Sequence, residues 1–316
     1  MQHVSVVIPA YNAAPAIDAT LASVLEQKLR PTEVIVVDDG STDGTGEIAG
    51  KADAAVRVIR QENSGQGSAR QAGLIAAEGE YVMFLDADDQ LLPNSLEALL
   101  SRLDATAGAV LAYCRCFLWN PSEGSDENVM DDVDDAEGNV WEKLIRQNFI
   151  RTPGCALARR RDWLIAGGWA TERVYQGNED WDLWLRMAEI GQFARVEERL
   201  LKYRVYTGSY SGKRTRMHRS MFAVYEKHLR RFAGDAPKLK IVKECNHNAR
   251  KMIAWELRSA SEEAFARGDC SLGLDLLKGS FLTAPDRVRW ALGIAALLKR
   301  RLSCRQAYPE SGRGET

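Results

Sequence analysis

No apolar run in the 316 residues is long enough to cross a bilayer; the longest candidate, WALGIAALL at 290–298, has less than half the ~20 residues a spanning helix needs. The N-terminus passes from Met1 straight into the strand-like HVSVVI. It has no basic region, long apolar stretch or small-residue cleavage site, so a secretory signal is not expected and a cytoplasmic location is. The six cysteines, at 114, 116, 155, 245, 270 and 304, form no CxxC pair and are too sparse for a disulfide framework. Cys114 and Cys116 share one face of a predicted strand and read as buried thiols rather than metal ligands. There is no GxxxxGK(S/T) loop, which argues against P-loop phosphoryl transfer. Gly65 and Gly67 do not complete a dinucleotide fingerprint, because Arg70 takes the third glycine's place and no strand immediately precedes them. Nicotinamide chemistry is disfavoured accordingly.

Positive charge is scarce in the first 200 residues, 18 Lys and Arg against 33 Asp and Glu, and abundant afterwards, 24 against 11. The formal net charge of −2 averages two unlike parts. With 45% apolar and 27% charged residues the chain can bury a full core, as one large domain with an appendage or as two domains.

In the first part, short β-branched runs alternate with helical patterns, the signature of βα units around a mainly parallel sheet. VSVVI (4–8), EVIVV (33–37), VRVI (56–59), YVMFL (81–85) and AVLAYCRCFL (109–118) read as strands. EVIVV and YVMFL are apolar throughout, as strands buried on both faces are. Ile17, Leu21, Val24 and Leu25 recur at helical spacing, a second helix is expected from about Ala69 to Ala77, and Pro93 can open a third carrying Leu96, Leu99, Leu100 and Leu103. Residues 122–137 hold eight acidic side chains without the spacing of a calcium loop and read as a solvated loop. From about 215 the pattern is helical and basic. The predicted organisation is a domain over 1–214 and a basic helical region over 215–316.

The polar residues fall at strand carboxyl ends: Pro9, Tyr11 and Asn12 after the first strand, Asp38 and Asp39 at the second, and Asp86, Ala87, Asp88 and Asp89 after YVMFL. In an open parallel sheet these ends share one crevice, where ligands bind. So many carboxylates repel anions, and a phosphate-bearing ligand there calls for a divalent cation. DDGS alone is also a good turn. Glu179 and Asp180 open a helix with Trp181, Trp184, Leu185 and Ala188 on its apolar stripe; they read either as an acidic first turn favoured by the helix dipole or as a general base.

VSVVIPAYN, EVIVVDDGSTDGT, NSGQGSARQAG, GEYVMFLDADD and NEDWDLWLR, in this order, resemble the family-two inverting glycosyltransferases of GT-A fold. The resemblance is strong over 4–102 and looser through TPGCALARR (152–160), GGW (167–169) and LKYRVY (201–206). It implies an α/β, Rossmann-like mainly parallel sheet flanked by helices, with a mostly helical C-terminal extension. It also implies that Pro9, Tyr11 and Asp39 line a nucleobase pocket and that Arg70 lies near the nucleotide, with Gln71 where many relatives have Asn. Asp86 would contact the ribose or the metal, and Asp88 would ligate Mn²⁺ or Mg²⁺, a role Asp89 could share. Glu179 would belong to the substrate site and Asp180 would be the base. The implied activity moves a sugar from a nucleotide donor, UDP-linked by the resemblance alone, to a hydroxyl of a glycan or lipid-linked acceptor in cell-surface polysaccharide synthesis. The competing class is a catalytically idle sugar-nucleotide-binding or scaffold protein, against which the intact Asp39, Asp86, Asp88 and Asp180 argue. A nucleotidyltransferase lacks support, because no Gly-rich basic N-terminal loop is present.

Relatives often read Tyr-Arg-x-His where this chain has Tyr203, Arg204, Val205 and Tyr206. His218, in the basic stretch SGKRTRMHR (211–219), is a candidate substitute; a solvated basic loop is the alternative. RVRWALGIAALLKRRL (287–302) is amphipathic with cations at both ends, so residues 286–302 are a candidate for peripheral membrane contact at the inner face, or for packing on protein. No nucleic-acid-reading motif accompanies these cations. Homo-oligomerisation is left open.

Overall fold

The apolar runs pair as a parallel ribbon. β1 (Val4–Ala10) lies between β2 (Glu33–Asp38) and β4 (Tyr81–Phe84), and β3 (Val56–Arg60) adds outside β2. The register sets Val6 beside both Val34 and Met83, and every β1 and β4 residue is buried. Helices α1 (Ile17–Leu25), α2 (Thr45–Ala49) and α3 (Gln66–Ala76) supply the crossovers. Ile17, Leu21 and Val24 are buried on α1 as their spacing predicts. α3 begins at Gln66, three residues ahead of the expected start, because Gly65 adopts a φ of 93° and turns the chain directly into it. α4 (Ser95–Ala105) buries all four predicted leucines, with Pro93 in the preceding turn.

Beyond β4 the same sheet becomes mixed, reaching nine strands. β8 (Ala156–Arg159) runs antiparallel to β4 and to β6 (Ala109–Trp119). β9 (Gln192–Arg204) runs parallel to β6, β5 (Gln90–Leu91) pairs antiparallel to β9, and β7 (Val129–Met130) pairs with β6. Around this half lie α5 (Trp141–Arg146), α6 (Arg160–Ile165) and α7 (Glu179–Met187). β5 and β7 have two residues each and β8 has four, too short for a periodic signal in the sequence.

The computed structural model describes residues 3–120, 129–130, 135–205, 214–287, 290, 291 and 294. Most of the acidic stretch 122–137, Tyr206 and almost all of the helix expected over 286–302 lie outside the described residues. The chain divides into two compact units, Met1–Arg230 and Arg231–Thr316. In the first, α8 (Arg214–Arg231) takes in 214–219 of the stretch expected as a loop, so His218 lies on a helix. The second contains a hairpin of α9 (Ala236–Ala266) and α10 (Cys270–Thr283). Asp235 and Asp269 cap these helices, accepting from the N–H groups of Lys238 (3.1 Å) and Leu272 (3.0 Å). Across the hairpin Ser261 Oγ donates to Gly273 O (2.7 Å) and Ser280 Oγ to Ala254 O (2.6 Å), letting the two backbones approach closely.

Candidate active site

The segments leaving β1, β2 and β4 meet at the carboxyl edge of the parallel strands. After the buried Pro9, Tyr11 is 54% exposed and Asn12 holds a positive φ of 51°. The DDGSTDGT stretch fixes that turn. Ser41 Oγ accepts from the Asn12 N–H (3.0 Å), Asn12 Oδ1 from the Thr42 N–H (2.9 Å), Thr45 Oγ1 from Ala13 (2.9 Å) and Asp43 from Ala14 (3.0 Å). Asp39 is buried; Oδ1 accepts from Gln61 Nε2 (2.7 Å) and the Ser64 N–H (2.9 Å), and Oδ2 from the Gly65 N–H (2.8 Å). These bonds shape the entry to α3 and leave Oδ2 able to accept one more donor.

α3 carries Arg70 into the centre of the site. Its guanidinium donates through one nitrogen to Asp86 Oδ1 and through the other to Glu179 Oε1, each at 2.6 Å, and it lies 4.8 Å from the Trp169 ring centroid. Burial opposes its charge, yet Asp86, Glu179 and Asp180 outweigh burial and hold it above the ordinary guanidinium range. Trp169 itself sits in an aromatic cluster with Phe84, Trp163 and Trp184, with centroid distances of 4.9–6.2 Å. Gly67 lets α3 approach the 170 loop, since a Cβ there would collide with the Ala170 carbonyl. Gln71, also on α3, accepts through Oε1 from the Trp169 N–H (2.8 Å) and ties the helix to the segment after α6.

The DADD turn is held from three sides. Thr20 Oγ1 donates to the carbonyls of Ala87 and Asp89 (2.9 Å each); Thr152 Oγ1 lies 3.2 Å from Asp86 Oδ2 and 3.4 Å from Asp89 Oδ2; and Asp89 Oδ1 accepts from the Arg204 N–H (2.9 Å). Asp89 is fully buried, and burial, with Asp86 and Asp88 nearby, raises its carboxyl well above the usual range. Burial and then the Asp86 charge push Asp88 up to about 6, while its own N–H and the Arg204 charge pull the other way. Arg204 lies over the Trp119 ring at 5.6 Å. Thr152 and Arg204 belong to TPGC and YR motifs visible in the sequence, but nothing there shows that they clasp the DADD turn.

α7 starts opposite this turn. Glu179 is buried and saturated, with Oε1 accepting from Gln66 Nε2 (2.5 Å) and Arg70 and Oε2 from the Gly177 N–H (2.5 Å). Asp180 is half-buried and, among the described residues, accepts only the Trp181 N–H, at 2.7 Å. Burial and the adjacent Glu179 raise its carboxyl to about 7, against the pull of Arg70. Two adjacent acids thus have opposite environments: Glu179 is a strut, and Asp180 is an under-bonded acid suited to proton transfer near neutrality. α7 is buried on all sides rather than along one stripe; only Asp180 of its nine residues keeps partial exposure. Asp182 pairs with Arg186 (2.8 Å) within the helix and anchors it to α8 through Lys227 (2.7 Å) and His228 (3.3 Å), and Asn178 Nδ2 donates to Met217 O (3.0 Å) and Ser220 Oγ (2.7 Å). The carboxyl of Asp182 sits far below the usual range: burial resists ionisation, but the bond to His228 and the charges of Arg186 and Lys227 prevail.

The structure therefore joins Arg70, Asp86 and Glu179 directly, sets Asp88, Asp89 and Asp180 around them, and places Pro9, Tyr11 and Asp39 at the other end of the same edge, linked through Gly65 and Gln66. Among the described residues no three His, Cys, Asp or Glu side chains are placed to hold a metal ion by themselves. A Mg²⁺ or Mn²⁺ on a diphosphate needs only one or two carboxylates, the remaining ligands being substrate oxygens and water. Asp88, a carboxylate bonded to no side chain among the described residues and set beside a concentration of negative charge, fits that requirement.

The glycosyl transferase family 2 model matches residues 5–163. An uncharacterized glycosyltransferase, EpsJ, of Bacillus subtilis is 47% identical over 89 residues, 27% of this chain and 26% of that protein. Chondroitin synthase of Pasteurella multocida is 30% identical over 203 residues, 62% of this chain and 20% of that protein. The chain thus spans about a quarter or less of these relatives. Among solved structures, TarS of S. aureus superposes with a TM-score of 0.62 at 20% identity, covering 91% of this chain and 50% of TarS. The mannosyltransferase PcManGT of Pyrobaculum calidifontis, solved with GDP-Man and Mn²⁺, gives 0.59 at 21%, covering 97% and 84%. At these identities the likeness establishes the shared fold, an α/β sheet flanked by helices with a helical C-terminal part. By the extent of the family match, the chain belongs to glycosyl transferase family 2.

Proposed function

We propose that this protein is an inverting glycosyltransferase that moves a sugar from a nucleotide donor, most simply a UDP-sugar, to a hydroxyl of a glycan or lipid-linked acceptor in polysaccharide synthesis. The observation that carries this reading is Asp180, a half-buried carboxyl raised to about 7 at the start of a rigid helix, facing the Arg70–Asp86 pair. Two of the similar proteins, chondroitin synthase and a teichuronic acid biosynthesis glycosyltransferase of Bacillus subtilis, carry names of this reaction class and of polymer products.

In this reading residues 1–214 carry the catalysis. The exposed Tyr11 ring stacks on the base, Pro9 walls the pocket, and the remaining capacity of Asp39 Oδ2 accepts a base N–H. Asp88 with Asp86 would hold a Mn²⁺ or Mg²⁺ ion, which would supply the positive charge that a departing diphosphate needs. Asp89 stands behind them, keeping Arg204 in place. The Asp180 carboxylate accepts the proton of the acceptor hydroxyl as that oxygen bonds to the anomeric carbon. The bond from that carbon to the diphosphate oxygen breaks with its electron pair on the leaving group, and the configuration inverts. Arg70 and Glu179 touch no substrate in this scheme; they fix the distance between the two carboxylates that do.

The test is Mn²⁺-dependent release of nucleoside diphosphate across a panel of nucleotide sugars, with and without simple glycan acceptors. Turnover lost in Asp88→Asn, with unchanged folding, supports the reading. Tight donor binding without turnover for any donor or acceptor would favour an idle sugar-nucleotide-binding protein instead.

A further inference from the structure

The second unit holds a surface that sugar transfer does not use. Along α9 the buried positions Val242, Cys245, Ala249 and Ile253 share one face. The opposite face carries Lys240, Lys243, His247 and Lys251 at spacings of three and four residues, and all four are exposed. The row leads into Met252 and Trp255, which are 56% and 62% exposed. Among the described residues none of the three lysines is in an ion pair, and Glu244 is the one acidic side chain set among them. From 240 to 255 the row spans roughly 22 Å of helix at the usual rise.

An exposed indole beside a thioether is costly in water, and lysines aligned on one helical face repel each other unless a counter-charge meets them. A flat anionic surface with an apolar interior relieves both, because headgroup phosphates meet the ammonium groups while the indole and thioether enter the interfacial layer. We propose that this face of α9 docks the protein on an anionic lipid surface. Residues 286–302, the part of the sequence that first suggests lipid contact, are not needed for this proposal. Neither is the sugar-transfer reading, since the readout below is partitioning.

The experiment is sedimentation of the full chain with vesicles of phosphatidylglycerol and phosphatidylcholine, against phosphatidylcholine alone. Binding is expected only to the anionic vesicles and should weaken as salt rises. Neutralising the row in a Lys240→Gln, Lys243→Gln, Lys251→Gln triple variant should weaken partitioning on the order of 100-fold, at roughly a factor of five per lysine. Trp255→Gln should weaken it roughly tenfold. All these positions are exposed, so unchanged melting temperature and helical content confirm intact folding in each variant. The proposal is overturned if the wild-type chain pellets equally with neutral vesicles or not at all, or if the triple variant pellets as the wild type does. It is also overturned if a single-stranded oligonucleotide binds as tightly and loses binding in the same variants, which would mark the row as a general polyanion site.

Discussion

The two ends of the site treat their acids differently. At the β1–β2 end, Asp38, Asp39 and Asp43 accept N–H or hydroxyl donors from their own and neighbouring loops, at distances of 2.5–3.1 Å. At the β4–α7 end, burial pushes Asp88, Asp89 and Asp180 upward, and the donors about them, the Arg204 N–H and Thr152 hydroxyl at Asp89 and the Trp181 N–H at Asp180, do not offset it. The first end is a scaffold whose acids are already satisfied by donors. The second stores unfavourable negative charge, which a cation or a proton would relieve. Such stored cost is what distinguishes a reacting site from a binding platform.

The comparison breaks if the acids of the two ends prove interchangeable. The largest expected effect is in Asp180→Asn: transfer falls by roughly 10³, yet the fold becomes more stable at pH 8, by ~2 kcal/mol. The sign follows from the raised carboxyl. Its ordinary value is 3.8 and its folded value about 7, so folding is penalised increasingly as pH climbs through that window. Asparagine removes the penalty at pH 8 and gains nothing near 3.8, a difference that melting curves at the two pH values would display.

Next in size is Arg70→Met. It leaves Asp86 and Glu179 without their shared cation, and the expected loss is ~3 kcal/mol of stability in denaturant titration, with transfer reduced roughly 10²-fold through misplacement of the site. In the wild-type enzyme, kcat/KM should rise about tenfold per pH unit up to about 7 and level off, as the Asp180 proton is lost. A profile flat from 5 to 8 would remove Asp180 from the base role. Smallest is Thr152→Val, which deletes the hydroxyl between Asp86 and Asp89 and should cost ~1 kcal/mol in thermal unfolding.

Much of the first end was legible in advance. EVIVV and YVMFL read as apolar throughout, which placed them inside a parallel sheet, and the crevice rule then brought Tyr11, Asp39 and Asp86 to one edge. The second end was legible only as motifs. Glu179 and Asp180 are chemically alike neighbours, and no pattern says that one is saturated by Gln66, Arg70 and Gly177 while the other is left with a single N–H. Thr152 and Arg204 act on the DADD turn from 66 and 115 residues away, reached by strands too short or too irregular to read. Cys155 likewise joins Cys114 and Cys116 in a buried thiol cluster that raises its own thiol further.

The first strands, the helices between them and the family were therefore fixed by local pattern, because period and turn chemistry act within a few residues of each other. Which carboxylate is neutralised, which is strained and which is free to take a proton was decided by the tertiary structure. Burial and long-range charge set a side chain's proton affinity, and both depend on what the fold brings against it rather than on its neighbours in the chain.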